Sequence, residues 1–144
     1  MTVLDAYALL AYLLDSNAAD EVQPLLGEDD PATISALNLA EVVDRLVQVT
    51  GLEPAEVAAK LEPLLDTGVT VVPVTKVVGM DAGRLRARHD RKRQAGVSMA
   101  DCVACRTALG GERGLATADP ALAAMARAEG VQVVALPDSL GRRP

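Results

Sequence analysis

The sequence predicts an α/β protein built on a short, mostly parallel sheet of four to five strands. Three observations predict it. Thr2-Val3-Leu4 is strand-compatible and runs straight into Asp5 and the Ala- and Leu-rich helical stretch from Ala6 to Leu14, as a buried parallel strand hands over to its crossover helix. The same alternation of strand and helix recurs to the end of the chain. Finally, 144 residues, half of them apolar and without repeat, low-complexity tract or linker, make one domain with room for a core.

Taken in order, Asp15 to Asp30 is polar, with a short helical pattern around Val22, Leu25 and Leu26. Ala32-Thr33-Ile34-Ser35 reads as the second strand. The helix from Leu37 to Val49 follows, with apolar residues at Leu39, Val42, Val43, Leu46 and Val49 and a stop at Thr50-Gly51. Pro54 suits the first turn of another helix, which Gly68 ends. Val69-Thr70-Val71-Val72 is the third strand, and from Thr75 a long helix turns basic and runs until Gly96 interrupts it. Ser98 starts a helix that Gly110-Gly111 closes, Gly114 to Thr117 is the fourth strand, Pro120 to Glu129 a helix, and Val131 to Val134 the fifth strand. The domain is expected to span 1–137, and 138–144 to form a loose polar tail.

Composition excludes several classes. Tyr7 and Tyr12 are the only aromatics, so base stacking on aromatic platforms is not the binding mode. There is no basic region before the first apolar run and no apolar segment long enough to span a bilayer, so no membrane association and a cytoplasmic location are expected. Cys102-x-x-Cys105 falls among small apolar residues of a helix and reads as an inert buried pair. With only His89 besides, the chain cannot close a zinc site of nitrogen and sulfur ligands. The net charge of -6 argues against a polyanionic partner until its distribution is read, for six of the fourteen Lys and Arg lie between Arg84 and Arg93.

Four acids stand out by position: Asp5 ends the first strand, Glu41 lies in the first turn after the second, Asp101 opens the helix after Ser98, and Asp119 follows the fourth strand. Capping accounts for part of this. Asn38-Leu39-Ala40-Glu41 and Ser98-Met99-Ala100-Asp101 are variant capping boxes, and Asp119 precedes a proline at the first helical position. Yet Ser, Thr or Asn would cap as well, and acids gathered at one sheet edge repel one another unless a cation joins them. Helix N-termini offset only about 0.3 to 1 kcal/mol each. Mg²⁺ or Mn²⁺, held by a few carboxylates together with substrate phosphate, resolves the conflict and points to hydrolysis of nucleic acid.

The order V-L-D-A, S-A-L-N-L-A-E-V, S-M-A-D-C and L-A-T-A-D-P-A-L, spread from Met1 to about Pro137, resembles the PIN-domain nucleases, most closely the single-domain VapC-type toxins of bacterial toxin-antitoxin pairs. The resemblance implies a three-layer α/β/α sandwich and a metal-dependent endoribonuclease of toxin type. It makes Asp5, Asp101 and Asp119 metal ligands, with Glu41 completing the catalytic set directly or through a water. Ser98 and Thr117 match the family's supporting hydroxyls, whereas Tyr7 stands where a small hydroxyl residue is common and is left out of the site. A small antitoxin protein that neutralises the enzyme, and a homodimer, are implied as partners.

The basic segment supplies a candidate surface for RNA, because a helix would place Arg84, Arg88 and Arg91 on one face shortly before Asp101. A solvated helix face is the plainer reading of the same charges. The alternative function is a catalytically silent PIN-like module that binds RNA or protein. A phosphoryl-transfer domain on a strand-end Asp is a third. Its phosphatase form wants a second Asp at the position of Tyr7, and its receiver form an early acidic pair and a late Lys, neither of which is in place.

Overall fold

The computed structural model describes residues 1–27, 30–90, 94 and 96–144. Its elements are β1 (Thr2–Leu4), α1 (Ala6–Leu13), α2 (Ala19–Val22) with a 3₁₀ turn (Gln23–Leu25), β2 (Ala32–Ser35), α3 (Ala36–Thr50), α4 (Pro54–Thr67), β3 (Val69–Val72), α5 (Lys76–His89), α6 (Met99–Gly111), β4 (Gly114–Thr117), α7 (Pro120–Ala128) and β5 (Val133–Ala135). The strands form one parallel sheet in the order β3-β2-β1-β4-β5.

Each parallel strand needs a crossover, and the crossovers cover both faces. Alternate side chains therefore enter different cores. Leu4, Ile34 and Ala116 pack with Ala8, Leu9, Val22, Val42 and Val57 on one side, whereas Val3 and Leu115 pack with Leu85, Val103, Leu122 and Met125 on the other. The result is the expected α/β/α sandwich. Lacking Phe and Trp, it fills the second core with small residues of α6, where Cys102, Ala104, Cys105 and Ala108 are all fully buried. Burial pushes the Cys105 thiol up to about 12, which keeps it protonated and inert.

Local chemistry explains most boundaries. Gly51 terminates α3 with φ of 69°, a left-handed conformation that favours glycine. Pro54 occupies the first turn of α4, where its missing N–H costs nothing.

The basic helix ends at His89, not at Gly96, and Asp90, buried at its C-cap, closes it. The fifth strand begins two residues later than predicted. Gly130 turns the chain at φ 82°, and Val131 bonds back to the Ala126 carbonyl and joins the core before Val133 pairs with Leu115. The tail is not loose. Asp138 accepts from the Leu140 and Arg142 backbone N–H groups, and Arg143 forms a bidentate pair with Glu21. No helix among the described residues is long and apolar enough to cross a membrane.

Candidate active site

The strand order reverses between β1 and β4, since β2 and β3 lie to one side of them and β5 to the other. In an open parallel sheet the crevice at such a reversal, beyond the carboxyl ends of the strands, is where ligands bind. Asp5 is the first residue past β1. One step beyond the Leu4–Ala116 and Leu4–Ile34 pairs, it stands level with Thr117 on one side and Ser35 on the other. These three polar residues cap the central strands and are 4%, 0% and 1% exposed, respectively.

Each aspartate is held by the start of a helix. Asp5 Oδ1 accepts from the Ala8 N–H at 2.7 Å, capping α1. Asp101 Oδ2 accepts from the Ser98 N–H at 2.7 Å while Ser98 Oγ accepts from the Asp101 N–H at 3.0 Å, the reciprocal box predicted from the spacing. Asp119 Oδ1 accepts from the Leu122 N–H at 2.8 Å, with Pro120 in the first turn of α7. Thr117 links two strands' acids: its hydroxyl accepts from the Asp119 N–H at 2.9 Å and donates to the Asp5 carboxylate. These bonds leave Asp101 Oδ1 and Asp119 Oδ2 outside the caps.

The predicted box at Asn38 does not form. Ser35 is the N-cap of α3 and accepts from the Asn38 N–H at 3.0 Å, because the helix starts at Ala36, one residue earlier than the apolar period indicates. Asn38 is freed for another role, with its Nδ2 3.5 Å from Glu41 Oε2. Ser35 and Asn38, both 1% exposed, are the residues the sequence reading missed. The S-x-x-N spacing was the available signal. Tyr7 points elsewhere and donates its hydroxyl to the Pro137 carbonyl at 2.7 Å.

Electrostatics ties the acids together. Burial pushes the Asp5 carboxyl up from 3.8 to about 7, the negative charges of Asp101 and Asp119 add to the rise, and the hydrogen bonds from Thr117 and Ala8 oppose it. The carboxyl of Glu41, on an otherwise exposed residue, is raised by partial desolvation and then by Asp101, with Asn38 acting in the opposite sense. Among the described residues none of the four acids forms an ion pair with Lys, Arg or His.

A divalent cation fits this donor set by its chemistry: hard carboxylate oxygens at one edge, with no basic side chain among the described residues to neutralise them. The fit is an open one. Among the described residues no three His, Cys, Asp or Glu side chains are gathered closely enough to hold an ion by themselves. That suits Mg²⁺-like ions, which keep several waters and take only one or two carboxylates with substrate phosphate.

Of the predicted RNA-contacting arginines, the two described ones pair with acids outside this cluster. Arg84 pairs with Asp81 at 3.0 Å, and Arg88 with Glu129 at 2.8 Å, beside the 2.6 Å contact of His89 Nε2 with the same carboxylate. Both guanidinium groups are well exposed and line a surface depression with Asp81, Arg106 and Glu129. Arg91 lies outside the described residues.

Fold and site thus define an α/β protein with an acidic centre at the topological switch point. The chain belongs to the PIN domain family, which matches residues 2–135. Among solved structures it is similar to VapC20 of Mycobacterium tuberculosis, a sarcin-ricin loop cleaving toxin, with 20% identity, TM-score 0.69, and coverage of 86% of this chain and 94% of that one. It is also similar to DNA-bound VapBC from Salmonella typhimurium, with 18% identity, TM-score 0.67, and coverage of 92% and 95%. A toxin-antitoxin complex from Klebsiella pneumoniae gives 13% identity, TM-score 0.60, and coverage of 82% and 86%. At these identities the likeness is one of fold. No curated protein matches the chain.

Proposed function

We propose that the protein is a toxin-type endoribonuclease that hydrolyses RNA phosphodiester bonds with Mg²⁺ or Mn²⁺ and is neutralised by a cognate small antitoxin protein. The observation that carries this reading is the convergence of Asp5, Asp101, Asp119 and Glu41 on one sheet edge, with no basic partner among the described residues. Membership of the PIN domain family supports it, as do neighbours that include a sarcin-ricin loop cleaving toxin and a toxin-antitoxin complex.

Asp5, Asp101 and Asp119 would hold the cation, one or two of them directly and the rest through its waters, and Glu41 would complete the set directly or through water. When bound, such an ion lowers the pKa of water and neutralises charge on the phosphodiester. The chain supplies the positioning. Thr117 and the Ala8 N–H hold Asp5 ionisable despite its burial, and Ser98 fixes Asp101 through their reciprocal bonds. Arg84 and Arg88, exposed on α5, are proposed to meet the RNA backbone, each exchanging an acid partner for a phosphate. We place the working protein in the cytoplasm as a homodimer.

The test is cleavage of end-labelled RNA by the purified chain in Mg²⁺ or Mn²⁺, and arrest of growth on expression, for wild type and Asp5→Asn. Both activities should disappear in the variant, and cleavage should stop with EDTA. Activity that survives both treatments overturns the reading. If the folded wild type neither cleaves nor arrests growth but still binds RNA, the silent binding module takes its place.

A further inference from the structure

The four acids are not held alike. Asp5, Asp101 and Asp119 are short side chains, each fixed by a backbone N–H at 2.7 to 2.8 Å. Glu41 is longer, lies on an exposed position of α3, is repelled by Asp101, and receives no such backbone bond among the described residues. Left to itself it would turn to solvent.

What it has is Asn38, one turn earlier on the same helix and 1% exposed. The orientation of that carboxamide follows from its neighbours. Ser35 Oγ already accepts from the Asn38 backbone N–H, so its own proton is directed to Asn38 Oδ1. The Nδ2 group then faces Glu41 Oε2 at 3.5 Å. The flipped amide would set Oδ1 against the Glu41 carboxylate, two acceptors facing each other. At 3.5 Å the contact is long for a hydrogen bond, so it aims the carboxylate more than it stabilises the charge.

We propose that Asn38 is a positioning residue for Glu41, with the Ser35 hydroxyl locking the carboxamide and the carboxamide holding the Glu41 carboxylate toward Asp101. The inference rests on the reading above that Glu41 belongs to the acidic site. Ser35 thereby serves twice, as the cap of α3 and as the anchor of a relay into the site, and the relay explains why an amide and a hydroxyl are buried together in the first turn of a helix. Groups that orient metal-binding carboxylates in this way are worth about 10- to 100-fold in affinity or rate.

Two measurements on the full chain test it. The first is the NMR side-chain amide signal of Asn38 in wild type and Glu41→Ala, a change at the exposed end of the relay. The signal should shift on loss of its acceptor, and an unchanged signal overturns the proposal whether or not the protein is a nuclease. The second is a cycle of Asn38→Leu, Glu41→Ala and the double variant, read by Mn²⁺ binding calorimetry and by RNA cleavage. Asn38→Leu should lose about tenfold alone and add nothing to Glu41→Ala, because it acts through that residue. Losses that simply multiply would show that Asn38 matters only to the fold. If wild type neither binds Mn²⁺ nor cleaves RNA, the nuclease reading fails while the amide signal still decides the pairing.

Discussion

The outer face of α5, α6 and α7 and the carboxyl edge of the sheet carry the same kind of residue in opposite company. On the helical face the prominent acids have arginines beside them: Asp81 pairs with Arg84 and Arg106, and Glu129 with Arg88, next to its contact with the His89 ring. The Arg106 hydrogen bond accordingly holds Asp81 below the usual carboxylate range. At the sheet edge Asp5 is driven the other way by burial and by two further acids. Helix α6 spans both regions, with Asp101 in its first turn and Arg106 little more than a turn beyond. A chain with arginines this near could have paired Asp101. Among the described residues the four acids at the sheet edge have no such partner, and that is the contrast between the two regions.

The largest expected effect breaks the contrast directly. Asp101→Asn should slow RNA cleavage by roughly a thousandfold, several kcal/mol of transition-state charge stabilisation, whereas Asp81→Asn on the paired face should stay far above that rate in the same assay.

Stability against pH sharpens it. The folded pKa of Asp5 lies above its unfolded value of 3.8, so the folded state binds the proton more tightly. Its contribution is therefore full below about pH 4 and lost as pH rises through about 7. Metal-free Asp5→Asn should unfold at a higher temperature than wild type at pH 8 and lose that advantage at acid pH. Added Mn²⁺ at a hundred times its Kd should return about 2.7 kcal/mol to the wild type at pH 8 and little to the variant. A wild type more stable than Asp5→Asn at pH 8 without metal would contradict the strain assigned to this carboxylate.

On the paired face effects should be smaller. Glu129→Gln, which leaves Arg88 and His89 without their shared carboxylate, is expected to cost roughly 1 kcal/mol in denaturant melts. Smallest in stability are Arg84→Ala and Arg88→Ala, within about 1 kcal/mol of wild type because both guanidinium groups are exposed. Their effect should appear instead as weaker RNA binding with a salt dependence reduced by about 0.7 per lost phosphate contact. An unchanged salt slope would return this helix to the role of a solvated face.

Much of the fold was legible because its signals are local. Val3 and Leu4, Thr33 and Ile34, and Leu115 and Ala116 are continuous apolar or β-branched pairs that only a doubly covered strand explains. Gly51, Pro54 and Pro120 punctuate helices where backbone geometry demands it. The misses were non-local. Whether α5 continued past His89 depended on Asp90 finding a buried place, which periodicity does not reveal. Asp81 lies three residues before Arg84 on the same helix and is a local partner, whereas only the tertiary structure brought Glu129 to Arg88. The spacing of Asn38 to Glu41 fits a cap, and only the earlier start of α3 frees its side chain for another role.

By itself the sequence determined the strand and helix alternation and the placing of acids just past strand ends, since both follow from short-range stereochemistry and side-chain period. The tertiary structure decided which strands became neighbours, and so where the order reverses and which acids feel one another's charge. Electrostatic company depends on distance in space, and residues 5, 41, 101 and 119 acquire theirs only when a parallel sheet brings their helix starts to one edge.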